Sequence, residues 1–248
     1  MKFALITDIH SNAQALDAVL RDAQGRGVQG HVFLGDFVGY GGDPGWVVDR
    51  VAELVRTGNA VAVRGNHDHF TTHAVPGSMH PDARAALEWT RGQLSPAQLD
   101  FLARLPMSER RGDCLFVHAT ANHPSSWTYI QGRAEAMQSL QATDARFTFC
   151  GHMHEPMLFH MSGTGKAGDF VPEPGIEIPL LPHRQWLVIP GSCGQPRDGN
   201  PCACYAIFDD ERSTLVYLRV PYDVETAASR IREAGLPERL AERLGEGH

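Results

Sequence analysis

The sequence Phe3-Ala4-Leu5-Ile6-Thr7-Asp8-Ile9-His10 joins a short apolar run to two residue types that bind metals. The run from Phe3 to Thr7 is typical of a buried β-strand. Asp8 and His10 follow it two positions apart, on a turn that can aim a carboxylate and an imidazole at one ion. This opening predicts an α/β fold with a polar site at the end of its first strand.

Four further clusters repeat this arrangement of an apolar run followed by polar side chains. In open α/β sheets, ligands bind beyond the carboxyl ends of the strands, so residues at these positions converge despite long gaps in the sequence. Glycine before the polar residues suits tight turns around a site. We therefore expect five loops to build one site. The four further clusters are Gly35-Asp36, Gly65-Asn66-His67-Asp68, His118, and Gly151-His152-Met153-His154.

The segments between the first strands have helical patterns. One helix is expected to start with Ser11 or Asn12 as its N-cap, and a second one at Asp43-Pro44, with the aspartate as cap. The resulting βαβαβ order predicts parallel strands with right-handed crossovers. From Met157 onward strands follow one another without helices, which favours antiparallel pairing, and residues 161–184 look like a long loop or a ragged hairpin. No repeat or linker interrupts the chain, so we expect a single domain over residues 1–248.

The composition excludes several classes of protein. The chain has 248 residues, 42% of them hydrophobic, which is enough for a sizeable core. Its net charge of -7 argues against broad nucleic-acid binding, which needs basic surface.

The apolar run at the N-terminus is too short for a signal peptide, and no stretch is long enough to span a bilayer. The five cysteines lack zinc-finger spacing and are expected to be reduced thiols. A cytoplasmic protein without a membrane partner is therefore expected.

The five clusters offer carboxylate oxygen, amide oxygen and imidazole nitrogen. This mixture suits two adjacent divalent cations, which can clamp a phosphoryl group, lower the pKa of a bridging water and stabilise an in-line displacement. Asp36 has the carboxylate best suited to bridge the two ions. His67 lies next to a ligand and is a candidate general acid, which Asp68 is expected to orient.

The order D-x-H, G-D, G-N-H-D, H, G-H-x-H resembles the calcineurin-like metallophosphoesterase superfamily from Asp8 to His154. The segments Pro190-Gly191-Ser192 and Gln195-Pro196-Arg197 are similar to a bacterial branch of predicted phosphodiesterases that includes diadenosine tetraphosphatase-like relatives. The resemblance implies a four-layer α-β-β-α sandwich of two mixed sheets flanked by helices. It also implies His67 as general acid with Asp68 behind it, and two metal sites. One metal would be held by Asp8, His10, Asp36 and His154, and the other by Asp36, Asn66, His118 and His152.

The resemblance implies a metal-dependent phosphoesterase that acts on small phosphate esters or nucleotides. Manganese is the first expected metal, with Fe, Zn, Ni or Co as alternatives that suit the same donors. The alternative functions are a serine/threonine protein phosphatase-like enzyme and a non-catalytic scaffold that keeps the fold. The segment Gly35–Gly41 lacks the arginine that protein phosphatases carry after the bridging aspartate. Arg197 and Tyr40 are therefore the candidate substrate contacts, although a surface arginine and a loop aromatic would explain them as well.

Overall fold

The computed structural model describes residues 1–248, which form two six-stranded sheets and eight α-helices. The strands are β1 (Lys2–Ile6), β2 (Gly30–Phe33), β3 (Ala60–Ala62), β4 (Ser108–Arg111), β5 (Cys114–Val117), β6 (Phe147–Phe149), β7 (Pro156–Ser162), β8 (Ala167–Phe170), β9 (Glu177–Pro179), β10 (Arg184–Pro190), β11 (Ala203–Asp209) and β12 (Thr214–Val220). The helices are α1 (Ala13–Gly25), α2 (Pro44–Arg56), α3 (Asn66–Thr72), α4 (Pro81–Gln93), α5 (Pro96–Arg104), α6 (Arg133–Gln141), α7 (Val224–Glu233) and α8 (Glu238–Glu246).

Both sheets are mixed. In the first, of order β3-β2-β1-β11-β12-β9, strands β1, β2 and β3 are parallel and the remaining pairs are antiparallel. In the second, of order β4-β5-β6-β10-β7-β8, strands β5, β6 and β10 run parallel. Helix α1 begins after Asn12, whose side chain accepts a hydrogen bond from the Ala15 amide, and α2 begins at Pro44. The expected βαβαβ core and the antiparallel pairing of the later strands are both confirmed.

The two sheets pack face to face through one hydrophobic cluster. Leu5 and Val32 of the first sheet share it with Phe116, Phe149 and Val188 of the second. A second cluster fills the space between the outer face of the first sheet and helices α1 and α2, and a third lies between the second sheet and α6. The layers therefore run helix, sheet, sheet, helix, which confirms the fold that the family resemblance implied.

Several short elements do not show in the sequence pattern. The segment expected to be a long loop or ragged hairpin contains β8, which pairs with the end of β7, and β9, which pairs with β12. Strand β4 has the polar sequence Ser-Glu-Arg-Arg and is held by its pairing with β5. Helix α3 is seven residues long. These elements are stabilised by pairing and packing with segments elsewhere in the chain, so local hydrophobic periodicity does not predict them.

Helices α7 and α8 pack together through a small apolar cluster that also includes Ala86 of α4. Tyr40 and Trp89 are partly buried against it, so the pair of helices lies on the loop that follows β2. Gly42 lies so close to α7 that an added Cβ would be 2.6 Å from the backbone oxygen of Arg230.

None of the helices is both long and apolar enough to cross a membrane.

Phe208 tests the packing between the sheets. Its ring lies 4.9 Å from that of Phe147 and 5.1 Å from that of Phe149, and only 2% of the residue is exposed. Phe208→Ala is expected to lower the free energy of unfolding by about 3–5 kcal/mol, because it leaves a cavity between two sheets that cannot collapse freely. Phe170→Ala, on the edge strand β8 and 41% exposed, is the control and should cost about 1 kcal/mol or less. Equal losses in urea unfolding would contradict this account of the core.

Candidate metal centre

Five loops meet at one end of the two sheets, each directly after a strand. Asp8 and His10 follow β1, Asp36 follows β2, and Asn66 follows β3. His118 follows β5, and His152 and His154 follow β6. The loops are tied to one another by backbone hydrogen bonds, as from the Asp8 amide to the Gly35 carbonyl at 3.1 Å and from Gly151 to His118 at 2.8 Å. The structure therefore brings all seven expected ligands together.

The backbone of these loops is strained. The φ angles of Asp8, His10, Asp36, His152 and His154 lie between 49° and 69°, in the left-handed region that side-chain-bearing residues rarely adopt. Such conformations cost of order 1–3 kcal/mol each and persist where the surrounding structure enforces them, often at functional sites. Here the left-handed conformations direct side chains that lie close together in the sequence toward the same site.

Two glycines allow the loops to approach this closely. A Cβ added at Gly151 would lie 1.9 Å from Thr7 Oγ1 and 2.6 Å from Asp8 Oδ2. A Cβ added at Gly65 would lie 2.1 Å from Asp36 Oδ1. The glycines that precede the polar clusters are thus required by close packing against the carboxylates.

Asp8, His10 and His154 form the first group of donor atoms. The Asp8 Oδ1 atom lies 3.3 Å from His154 Nε2 and 3.9 Å from His10 Nε2, and the two nitrogens are 3.2 Å apart. Asp8 Oδ2 accepts hydrogen bonds from Thr7 Oγ1 at 2.8 Å and from the His152 amide at 3.0 Å. Oδ1 is buried and has no hydrogen-bond partner. A buried acceptor without a partner, facing two imidazole nitrogens, is suited to a cation.

Asp36, Asn66, His118 and His152 form the second group. His118 Nε2 lies 3.3 Å from Asp36 Oδ2, 3.0 Å from Asn66 Oδ1 and 3.2 Å from His152 Nδ1. Asp36 Oδ2 is also 3.7 Å from His10 Nε2 of the first group. The carboxylate of Asp36 therefore lies between the two groups of donors.

The imidazoles that face the centre are each held by a backbone carbonyl on their far side. This leaves one nitrogen of each ring directed at the other donors, which is the arrangement that metal-binding histidines adopt. The contacts are His10 Nδ1 to Val38 O at 3.1 Å, His118 Nδ1 to Leu34 O at 2.7 Å, His154 Nδ1 to Gln195 O at 2.6 Å, and His152 Nε2 to Trp127 O at 3.0 Å.

The buried charges of the centre act strongly on one another. Burial raises the pKa of Asp8 to about 7, and the nearby charge of Asp36 also acts in this direction. Burial would also raise the pKa of Asp36. The interactions with His118 and His67 lower it by more, so the Asp36 pKa lies well below its usual range. Burial lowers the pKa of His10 well below its ordinary value. Divalent cations among these donors would favour ionised carboxylates and neutral imidazoles, so the donor set fits metal ions.

His67 and Asp68 begin helix α3 beside the two groups. A ring nitrogen of His67 lies within 4.8 Å of donor atoms of both His10 and Asp36, and burial lowers the His67 pKa to about 4. Its Nδ1 is buried without a partner and faces Gly39. The sequence predicts that Asp68 orients the His67 ring. In the structure its two oxygens instead accept hydrogen bonds from the backbone amides of residues 36, 37, 38 and 65. It positions the loop of Asp36, whereas the His67 ring packs on Tyr40.

The two candidate substrate contacts lie at the rim. The Tyr40 ring is centred 4.6 Å from that of His10 and 4.5 Å from that of His67. The Arg197 guanidinium lies 6.0 Å from the centre of the Tyr40 ring and donates a hydrogen bond of 2.9 Å to Gln195 Oε1. Both residues are thus at the centre's edge, as a substrate contact requires.

Three further residues of the site are not among the site residues that the sequence predicts. The ring of Tyr129 stacks on His152 with centroids 4.0 Å apart, and Trp127 supplies the carbonyl that holds His152. Gln195 is buried and supplies the carbonyl that holds His154. Backbone carbonyls do not depend on residue type, so no motif predicts that Trp127 and Gln195 hold histidines, although Gln195 lies in the Gln-Pro-Arg segment that carries the family resemblance.

Gly151→Ala tests the close approach of the loops. The new Cβ would overlap Thr7 Oγ1 and Asp8 Oδ2, so we expect a loss of about 1–3 kcal/mol in unfolding free energy and weaker metal binding. Gly92→Ala, within α4, meets nothing within 4 Å and should instead stabilise the protein by about 0.5–1 kcal/mol. Thermal unfolding and calorimetric titration with Mn²⁺ would measure both, and a Gly151→Ala protein as stable as the wild type would contradict the geometry.

Comparisons with known proteins agree with this geometry. The calcineurin-like phosphoesterase superfamily domain matches residues 1–213. The chain is 35% identical over 255 residues to an uncharacterized protein of Methanocaldococcus jannaschii, with 97% of this chain and 96% of the relative covered. The crystal structure of a metallophosphoesterase from Sphaerobacter thermophilus is similar, with a TM-score of 0.88, 36% identity and all of both chains covered. A hypothetical protein from Pyrococcus horikoshii shares the fold, with a TM-score of 0.79, 20% identity, and coverage of 100% of this chain and 98% of that one. The chain therefore belongs to the calcineurin-like phosphoesterase superfamily and is a metal-dependent phosphoesterase.

Proposed function

We propose that the protein binds two divalent cations and hydrolyses small phosphate esters or nucleotides. The observation that carries this proposal is the position of Asp36, whose Oδ2 atom lies 3.7 Å from His10 in one donor group and 3.3 Å from His118 in the other. A carboxylate placed between two sets of donors suits a bridging ligand. The proposal treats residues 1–248 as one domain, because α7 and α8 pack onto the loop of Tyr40.

The donor groups divide into two proposed metal sites that share Asp36. Asp8, His10 and His154 complete the first, and Asn66, His118 and His152 complete the second. Bound ions would draw charge from the phosphoryl oxygens and make an attacking water more acidic. Oxygen and nitrogen donors without thiolate favour Mn, with Fe, Zn, Ni or Co as alternatives, over Mg, which prefers oxygen.

The surrounding residues would orient the substrate and handle its protons. Arg197 and Tyr40 line the rim, where the guanidinium can hold a phosphate oxygen. His67 is proposed as the general acid that gives a proton to the leaving oxygen as its bond to phosphorus breaks. Burial keeps the pKa of His67 low, and the negative charge of a bound phosphate would raise it toward the range in which the ring carries a proton. Asp68 acts indirectly, by fixing the loop that carries Asp36.

The substrate is proposed to be small because the rim is crowded. Tyr40, Tyr129 and Trp127 surround the centre, and their rings contact its imidazoles. A protein phosphatase-like activity is the alternative, and the absence of an arginine in Gly35–Gly41 argues against it. A panel of aryl monoesters and diesters, nucleotides and a phosphopeptide, assayed with Mn²⁺, would separate the two. A non-catalytic scaffold predicts no turnover on any of them, and the cytoplasmic location stays a prediction.

Asp36→Asn tests the shared carboxylate. The variant is expected to bind fewer than two Mn²⁺ per chain and to lose more than about 100-fold of kcat/KM on bis(4-nitrophenyl) phosphate, because an amide is a poorer bridging ligand. Metal content measured by calorimetry and turnover measured by absorbance give independent readings. His183→Ala, at an exposed histidine, is the matched control and should change neither. Turnover of Asp36→Asn at the wild-type rate would rule out the proposal.

His67→Gln tests the general acid through the leaving group. We expect a loss of about 10²–10⁴-fold in kcat on alkyl phosphate esters, whose leaving oxygen needs a proton, and a much smaller loss on nitrophenyl esters. The Mn²⁺ stoichiometry should stay at the wild-type value. A lower stoichiometry, or equal losses on both substrates, would instead make His67 a metal ligand or a structural residue.

A further inference from the structure

Most of the exposed large apolar side chains of the protein lie in one segment. Seven such side chains occur in the chain, and four of them fall within residues 170–181. They are Phe170, 41% exposed, Val171, 69% exposed, Ile176, 54% exposed, and Leu181, 39% exposed. Single exposed apolar residues are ordinary on a protein surface, whereas a concentration of them marks a surface that binds a partner. Residues 170–181 are therefore a candidate interaction surface.

This apolar segment connects the exposed edges of the two sheets. Strand β8 pairs only with β7, and β9 pairs only with β12, so each is the last strand of its sheet. The Tyr217 hydroxyl of β12 donates a hydrogen bond of 2.9 Å to the carbonyl of Met157 in β7, which places both edges on the same side of the sandwich. The Gly175 amide donates to the Tyr217 carbonyl at 2.8 Å and fastens the connecting segment to β12. This side of the sandwich therefore offers two strand edges with exposed apolar residues between them.

The two edges of the second sheet differ in charge. Unpaired backbone groups on an edge strand can pair with another chain, and charged side chains on the strand oppose such pairing. Strand β4, at one edge, has the sequence Ser-Glu-Arg-Arg and is largely exposed. Strand β8, at the other edge, has the sequence Ala-Gly-Asp-Phe, and its one charged residue, Asp169, forms an ion pair of 2.6 Å with Arg133 of α6. The β4 edge is thus protected by charge, and the β8 edge is not.

Two residues of opposite charge flank β8. Lys166 directly precedes the strand, Glu173 lies three residues after its end, and both are exposed. The nearby Asp169 and Glu177 are each paired with an arginine, whereas Lys166 and Glu173 have no ion-pair partner. When two β8 strands pair antiparallel about a two-fold axis, the start of each strand lies beside the end of the other, so Lys166 of one copy approaches Glu173 of the second. This edge is therefore complementary in charge to a second copy of itself.

We propose that β8 and residues 170–181 bind a second copy of this chain, with the two β8 strands paired antiparallel so that the second sheet continues across the dimer. Backbone hydrogen bonds between the strands would hold the two copies together, as they do where a strand is added to an exposed sheet edge. Burial of Val171 and its apolar neighbours would supply the hydrophobic part of the binding free energy. The charged pairs at both ends would favour the antiparallel orientation. No residue of the metal centre takes part, so this inference is independent of the proposed function.

Sedimentation velocity of the full chain over a range of protein concentrations tests the dimer. We expect the wild type to dimerise with a dissociation constant of about 1–100 μM, since small interfaces bind weakly. Val171→Asp is expected to weaken the dimer at least about tenfold, because it places a charge in the apolar part of the interface. Trp46→Glu, at a tryptophan of α2 that is 44% exposed, is the matched control and should dimerise as the wild type does.

Two results of this measurement would overturn the proposal. One is a Val171→Asp protein that dimerises with the affinity of the wild type. The other is wild-type protein that stays monomeric throughout the expected range, which would leave a peptide strand of another protein as the occupant of the edge.

Exchange of the flanking charges tests the orientation of the two copies. Lys166→Glu and Glu173→Lys should each weaken the dimer about three- to tenfold, because like charges then meet at both ends of the paired strands. The double variant Lys166→Glu/Glu173→Lys restores opposite charges and should dimerise as the wild type does. Both positions are exposed, so all three variants should keep the melting temperature of the wild type at protein concentrations where the chain is monomeric. A double variant that dimerises more weakly than either single variant would overturn the antiparallel pairing of β8.

Discussion

The hydrogen bonds of the Asp68 carboxylate hold the metal centre in place. Oδ2 accepts from the amides of Asp36 and Gly65, both at 2.9 Å, and Oδ1 accepts from Phe37 at 2.9 Å and from Val38 at 3.4 Å. Burial, followed by the nearby charge of Asp36, raises the pKa of Asp68 to about 7, whereas the hydrogen bonds from the amides of Gly65 and Phe37 favour its ionised form. An asparagine would present an NH2 group to some of these donors, and only a carboxylate can accept from all of them. The residue joins the loop after β2 to the start of α3.

That junction explains why Asp36 can serve two groups of donors. Its backbone is held by Asp68, and its Oδ1 accepts a hydrogen bond of 2.8 Å from the His67 amide. Only Oδ2 is left to face His10 and His118. The side chain is thus oriented before any ion arrives, and little conformational entropy remains to be lost on binding. The same helix turn places the His67 ring beside the centre, so one short element positions both a ligand and the candidate acid.

The sequence predicted the parallel core and the seven candidate ligands, because both follow from short-range patterns. Apolar runs mark the strands, and in an open sheet the carboxyl ends of those strands define where ligands lie. What it did not predict depends on long-range contacts. The role of Asp68 could not be read from Gly-Asn-His-Asp, because its partners are backbone amides about thirty residues earlier in the chain. Strand β9 likewise exists through pairing with β12, and Tyr129 enters the site by stacking on His152.

The site contains two kinds of buried group without a hydrogen-bond partner, and the two kinds bind ligands of opposite charge. Asp8 has a buried carboxylate oxygen without a hydrogen bond, which calls for cations, whereas Arg197 has a buried donor without one, which calls for an anion. A phosphate bridging metal ions and an arginine would satisfy both. The Tyr40 ring lies against that of His10, with centroids 4.6 Å apart, and the Arg197 guanidinium lies 6.0 Å from the centre of the Tyr40 ring. The C-terminal helices pack against Tyr40, so a part of the chain beyond residues 1–213 supports one wall of the site.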